Sequence, residues 1–294
     1  MATDELQSGL FILGRGERMY IKGNKMGNDY NFLNVMRDHL LKINKLIEPT
    51  QIKLNRCTGK QITFSIHIKY MIYAMLSNQE KWSNIERYLP EIDKVFFNYD
   101  IEKIKEKSWE YFYKNIKPFP IRALSLKKQM KCLNKNIEVM ESINNKYNGG
   151  IDAYILSKPP REIVKKFIME YKLPNMGVSL VCEYLKSVGV ECIKPDTHVM
   201  RFLSKTRRGY LSKEETYIVK KGKKEGKLNE TNWNDNDKIK VLEIIENIGN
   251  SCEKTASDID RIIWSYCAVG YGEICTKSPK CHLCVIRDGC NHNS

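Results

Sequence analysis

Cys275-x5-Cys281-x2-Cys284-x5-Cys290 is the densest chemistry-bearing pattern in the chain. Four thiolates in one short loop can wrap a single metal centre, and in a reducing compartment such clustering means metal rather than disulfides. Zinc and an iron–sulfur cluster are both served by four cysteines, and spacing alone does not separate them. The other six, Cys57, Cys132, Cys182, Cys192, Cys252 and Cys267, stand singly in apolar or mixed surroundings and read as small buried hydrophobes.

A second constellation lies upstream. Lys172-Leu173-Pro174-Asn175-Met176-Gly177 separates two amphipathic stretches, and the second begins without an evident side-chain cap. Its backbone amides are therefore expected to point outward at a helix N-terminus, where free N–H groups and the helix dipole attract the same negative charge, such as a phosphate oxygen. Gly177 allows either a positive φ or close backbone approach. Eighteen residues beyond Gly177 comes Pro195-Asp196-Thr197-His198. An isolated Asp at a helix start is first of all a cap. Beside a nucleic acid the same carboxylate could stabilise positive charge developing on a sugar, or activate water.

Leu173-Pro174-x-x-Gly177, a helix, and then Pro195-Asp196-Thr197-His198 together resemble the core signature of the helix-hairpin-helix, Gly/Pro-Asp DNA glycosylase superfamily. Met75-Leu76-Ser77-Asn78-Gln79 resembles the Leu-Leu-Ser-x-Gln segment of its endonuclease III-like branch, whose glutamine fills the gap left by an extruded nucleotide. The cysteine loop is similar to that branch's iron–sulfur loop, with one residue fewer in its first gap. The resemblance spans about Ile62 to Cys290. It implies an all-α fold of two helical domains, a six-helix barrel domain with the hairpin and a cluster domain, with a DNA cleft between them. It also implies double-stranded DNA as partner, a target base rotated out of the stack, and a [4Fe–4S] cluster in preference to zinc on Cys275, Cys281, Cys284 and Cys290. Asp196 is then the catalytic carboxylate, and DNA contacts come from Gln79, Leu173, Asn175, Met176, Gly177, His198, Arg201, Lys277 and Lys280.

Members that also nick DNA carry a lysine two residues after the hairpin glycine, which attacks the sugar and forms an imine. Ser179 occupies that place and has no amine, so the resemblance implies a monofunctional enzyme of base excision repair that uses water and leaves an abasic site. Lys186, about two helical turns further on, is poorly placed to substitute. Ala74, beside Tyr73, stands where the adenine-removing branch has a glutamate. Trp82-Ser83-Asn84-Ile85-Glu86 is similar to the Trp-x-Asn-Val-Glu run of the branch that removes alkylated purines, a hint toward that substrate. Three other readings stay open: a catalytically silent damage-binding protein, a bifunctional glycosylase and lyase, and a zinc-binding nucleic-acid module without glycosylase chemistry.

Positioning these groups falls to helices. Apolar residues recur at helical spacing from Tyr30 onward, with helices expected at about Tyr30 to Ile47, Phe64 to Leu76, Trp82 to Leu89, Ile101 to Tyr113, Ala123 to Ile143, Arg161 to Tyr171, Val178 to Val188, Asp196 to Leu203, Lys238 to Ile248 and Glu253 to Val269. Phe64 to Leu76 is apolar almost all round, as a buried central helix should be. The expected division is an N-terminal arm at 1–24, a six-helix domain at 60–190 with its helix-hairpin-helix at 161–188, and a cluster domain from 25–59 and 191–294. The last includes the cysteine loop at 275–290 and a polar, Lys/Asn-rich insertion at 204–237 that reads as solvated.

Lys plus Arg exceed Asp plus Glu by 49 to 35 in 294 residues, a net charge of +14 that suits an acidic partner such as nucleic acid. A Lys-, Asn- and Ile-rich composition from an AT-biased genome would give the same excess. With 42% hydrophobic residues the chain can bury a real core. It has no apolar run long enough for a membrane span, and Met1 to Glu5 lack the order of a secretory signal, so an intracellular monomer is expected.

Overall fold

The structure, a computed structural model, describes residues 25–78, 80, 82–119, 126–218 and 228–293. The expected N-terminal arm at 1–24 and Gln79 lie outside them. The helices are α1 (Lys25–Lys42), α2 (Gln51–Cys57), α3 (Phe64–Leu76), α4 (Trp82–Glu86), α5 (Leu89–Val95), α6 (Ile101–Lys105), α7 (Trp109–Ile116), α8 (Leu126–Lys146), α9 (Gly150–Leu156), α10 (Pro160–Met169), α11 (Val178–Ser187), α12 (Thr197–Leu203), α13 (Asp235–Cys252) and α14 (Ala256–Cys267). A two-stranded antiparallel ribbon, β1 (Thr216–Ile218) and β2 (Leu228–Glu230), pairs Tyr217 with Asn229. Among the described residues the fold is all-α apart from this ribbon, and none of their helices is long and apolar enough to cross a membrane.

As its composition requires, α3 is central: Met71 through Leu76 are all buried, and α8, α9 and α11 pack around it. The 21-residue α8 presents Met130, Leu133, Ile137 and Met140 inward at helical spacing and also packs on α7. A second group forms where α1 packs on α13 and α14, and α12 packs on both of these. The hairpin helices α10 and α11 touch α13, and one continuous hydrophobic cluster runs through both groups.

Three local expectations need correction. The single helix over Ile101 to Tyr113 is two, because Ser108 takes an extended conformation (φ −74°, ψ 158°) and restarts the chain. The first part of the 204–237 insertion is packed rather than solvated: Leu211 and Ser204 are buried, and Arg207, 1% exposed, is tolerated inside because Glu215 accepts two of its hydrogen bonds at 2.7 and 3.1 Å. Among the single cysteines, Cys57 is exposed at the end of α2, whereas Cys182, Cys192, Cys252 and Cys267 are buried as expected.

Candidate nucleic-acid interface and catalytic site

The hairpin between α10 and α11 is built from backbone geometry. Lys172 (φ 51°) turns the chain out of α10 in the left-handed conformation, while the amide of Leu173 reaches back to the Phe167 carbonyl at 3.3 Å. Asn175 (φ 59°) supplies the second left-handed residue, and asparagine tolerates that region better than most side chains. Gly177 has φ −77°, so of the two uses open to it a positive φ is not the one taken. What it does provide is the N-cap position of α11 without any side-chain cap, as the sequence indicated. Among the described residues no acceptor engages the amides of Gly177, Val178 or Ser179. The Leu173 and Met176 side chains are buried and their packing anchors the loop, so any contact made at these two positions is through the backbone, while Asn175 and Gly177 are exposed. One carboxylate stands close, since a Cβ on Gly177 would lie 3.6 Å from Asp235 Oδ1.

From this helix start the Ser179 hydroxyl donates to the Pro195 carbonyl at 2.9 Å, which brings the lyase-lysine position to the turn carrying Asp196. Asp196 caps α12: its Oδ1 accepts from the amides of His198 (2.8 Å) and Val199 (3.1 Å). Among the described residues no donor engages its second oxygen. Beneath the turn, Asp260 of α14 accepts from the Lys194 amide and from Lys186, both at 3.1 Å, and Glu183 lies 3.5 Å from Lys186 and 3.3 Å from Lys194. Burial alone would push the Lys186 ammonium down, but the Asp260 and Glu183 carboxylates outweigh it and hold the group above its ordinary value. Lys186 is thereby held in an ion pair with both carboxylates.

His198 sits half-buried with its ring 6.0 Å from that of Trp264, and its Nδ1 is buried without a hydrogen-bond partner. Burial pushes the imidazole below its ordinary value despite the neighbouring Asp196. The Arg201 side chain is 15% exposed and faces Glu215 at 3.8 Å. Lys277 and Lys280 are exposed, facing Glu230 (3.0 Å) and Glu273 (3.3 Å) respectively.

Two residues that sequence reasoning missed tie the loops together. Gln129 and Asn136, both fully buried on α8, donate to the Met75 carbonyl near the end of α3 and to the Pro174 carbonyl in the hairpin, the latter at 3.1 Å. Being seven residues apart they share one helix face about 10 Å apart along the axis. The loop that leads to Gln79 and the hairpin are thereby fixed to one rigid element. The signal was present: two amide residues stand where the α8 pattern calls for apolar ones.

The four cysteines of the C-terminal loop are free and half-buried. Tyr266 donates to Cys284 Sγ at 3.4 Å and accepts from the Val285 amide at 3.1 Å, and Arg208 donates to the Gly289 carbonyl at 2.7 Å. A hydrogen bond from Cys267, assisted by the nearby Arg207 guanidinium, holds the Cys275 thiol below its ordinary value. Cys290 lies within electrostatic reach of Cys275 and Cys284. The donor set fits a thiolate-ligated metal by type, although among the described residues no three His, Cys, Asp or Glu side chains converge as a metal site.

A separate cavity of about 230 Å³ opens between Ser65, Lys69, Asp93, Asn98 and Tyr99. There Asp93 accepts from Tyr73, Tyr99 (2.6 Å) and Lys69 (2.8 Å), and Tyr99 is the last of three consecutive left-handed residues, Phe97, Asn98 and Tyr99. It shares no residue with the Asp196 turn.

Comparisons with family models, with curated proteins and with solved structures find no match for the chain.

Proposed function

We propose that the chain is a monofunctional DNA glycosylase of the helix-hairpin-helix kind, binding double-stranded DNA in a cleft between two helical domains and hydrolysing the N-glycosidic bond of one extruded, damaged base. The observation that carries this reading is the Ser179 to Pro195 hydrogen bond, which sets an uncapped hairpin helix against the turn of a half-engaged carboxylate, Asp196. The hairpin amides would take a phosphate oxygen, and Asp196 would stabilise positive charge on the sugar and direct water to it. Ser179 offers no amine and Lys186 is held in an ion pair, both in favour of hydrolysis over lyase chemistry. Cys275, Cys281, Cys284 and Cys290 would hold a [4Fe–4S] cluster whose contribution when bound is structural, tying down the loop that presents Lys277 and Lys280.

The test is base release from duplexes each bearing one lesion (alkylated purine, uracil, mismatched thymine, 8-oxoguanine, oxidised pyrimidine), scored with and without alkali. Strand breaks only after alkali, with alkylated purine as the expected substrate, support the proposal. Breaks without alkali would replace it with a lyase, and binding without release would leave a silent damage-binding protein, the reading that the capping role of Asp196 favours.

Two further outcomes follow from the geometry. Asp235→Asn removes a carboxylate beside the hairpin and should tighten binding to undamaged duplex by about threefold at low salt, a gain that fades as salt is raised; binding isotherms at several salt concentrations check it. Purified wild-type protein should be brown, and Cys281→Ser should lose iron and visible absorption together. A colourless protein that contains zinc would reassign the loop.

A further inference from the structure

We propose that the outward face of α7 and the first half of α8 is a second contact for the phosphate backbone of the same duplex, an inference that rests on DNA being the partner. Lys114, Lys117, Lys127, Lys128 and Lys131 are exposed here, and among the described residues none has an acidic group within ion-pair distance. From Leu126 to Ile137 α8 contains no Asp or Glu.

The lysines are also held in place. Lys127 and Lys131 lie over the half-buried Trp109 ring at 5.6 and 4.8 Å, and Lys117 lies over Tyr113 at 5.7 Å. Aromatic faces attract ammonium groups and limit their wandering, so the charges form a fixed row instead of a diffuse cloud. The absence of apolar exposure identifies the partner class: no large hydrophobic side chain is exposed on α7 or α8, whereas protein interfaces centre on apolar and aromatic residues and are depleted in lysine. A polyanionic backbone needs only the charges. The inner face of α8 carries Gln129, level with the lysine row and bonded to the Met75 carbonyl, and Asn136, about 10 Å further along the axis and bonded to the Pro174 carbonyl, so the row lies about one helix diameter, ~10 Å, from the end of α3 and further from the hairpin.

The experiment measures binding of the whole protein to an undamaged duplex of about 25 base pairs between ~50 and ~200 mM salt, comparing wild type with Lys127→Glu/Lys131→Glu and with the milder Lys127→Gln/Lys131→Gln, each checked for unchanged helical circular dichroism. Both double variants should bind at least about tenfold more weakly near 100 mM salt, and the slope of log K against log salt should become shallower by about two. Wild type that binds duplex, with a folded glutamine variant whose affinity and slope are unchanged, overturns this surface and leaves the glycosylase reading standing. Wild type that binds no duplex overturns both.

Discussion

Asp196→Asn should lower the rate of base release by about 10² to 10³-fold while leaving duplex affinity and thermal stability unchanged. The substitution is chosen from the geometry. Asp196 Oδ1 accepts the amides of His198 and Val199, and an asparagine Oδ1 accepts the same two bonds at a position where asparagine caps as well as aspartate. The start of α12, the Pro195 carbonyl and the Ser179 bond to it are then preserved. Only the charge is lost, together with the ability of the second oxygen to take a proton from water. A transition state with positive charge on the sugar depends on that charge, and a cap does not. Single-turnover release from the lesion found in the panel, read beside a binding isotherm, separates the two roles. An asparagine variant that releases base at the wild-type rate would reduce Asp196 to a helix cap and end the mechanism proposed for it. Asp196→Ala is the poorer test, because it also removes the cap and costs about 1 kcal/mol of stability.

The sequence was informative about this site in proportion to how locally each feature is determined. The uncapped start of α11 and the Asp196 cap follow from residues within a few positions of one another, and both stand where expected. Features that depend on distant partners were not legible. Arg201 has the type and position of a phosphate contact, but Glu215, fourteen residues away in a segment that reads as a polar insertion, is the partner it faces. Leu173 and Met176 belong to the hairpin motif, and only the packed structure separates its buried anchors from its exposed Asn175 and Gly177. The α3 helix was clear because a run apolar on every side can be stable in water only when surrounded. The ribbon β1–β2, three residues per strand, is too short for a two-residue period to rise above its polar surroundings. Gln129 and Asn136 have no meaning until the Met75 and Pro174 carbonyls are in place to receive them.

Asp152→Asn should destabilise the fold by about 3 kcal/mol, the largest stability effect expected of a single isosteric change in the helical group around α3. Asp152, at the start of α9, accepts from Arg56 of α2 (2.6 Å), from the Ile62 amide (3.1 Å) and from His67 of α3 (3.0 Å), and His67 in turn meets the Tyr184 hydroxyl of α11 at 2.8 Å. The Arg56 and Asp152 side chains are only 9% and 10% exposed, so removing one charge leaves the other buried and unpaired. Arg56 also donates to the Val188 carbonyl just past α11, which carries the disturbance to the hairpin helix. The pH dependence has two limbs. Burial alone would raise the Asp152 carboxyl, but the hydrogen bonds from His67 and Arg56 outweigh it and hold the group well below 3.8, so its stabilisation is complete above that pH and is lost as pH falls through the folded value. Burial holds His67 below 6.5 despite Asp152, and a neutral ring that donates from Nε2 and accepts at Nδ1 satisfies both partners. Below 6.5 the unfolded chain takes up a proton that the folded chain refuses, and stability declines from there. His198, also held low by burial, adds to the same limb. Urea unfolding in steps from neutral pH to below the carboxylate range should show both limbs in wild type. Asp152→Asn should keep the histidine limb and lose most of the carboxylate one; an unchanged carboxylate limb would assign the acid sensitivity to other groups and remove Asp152 as the centre of the network.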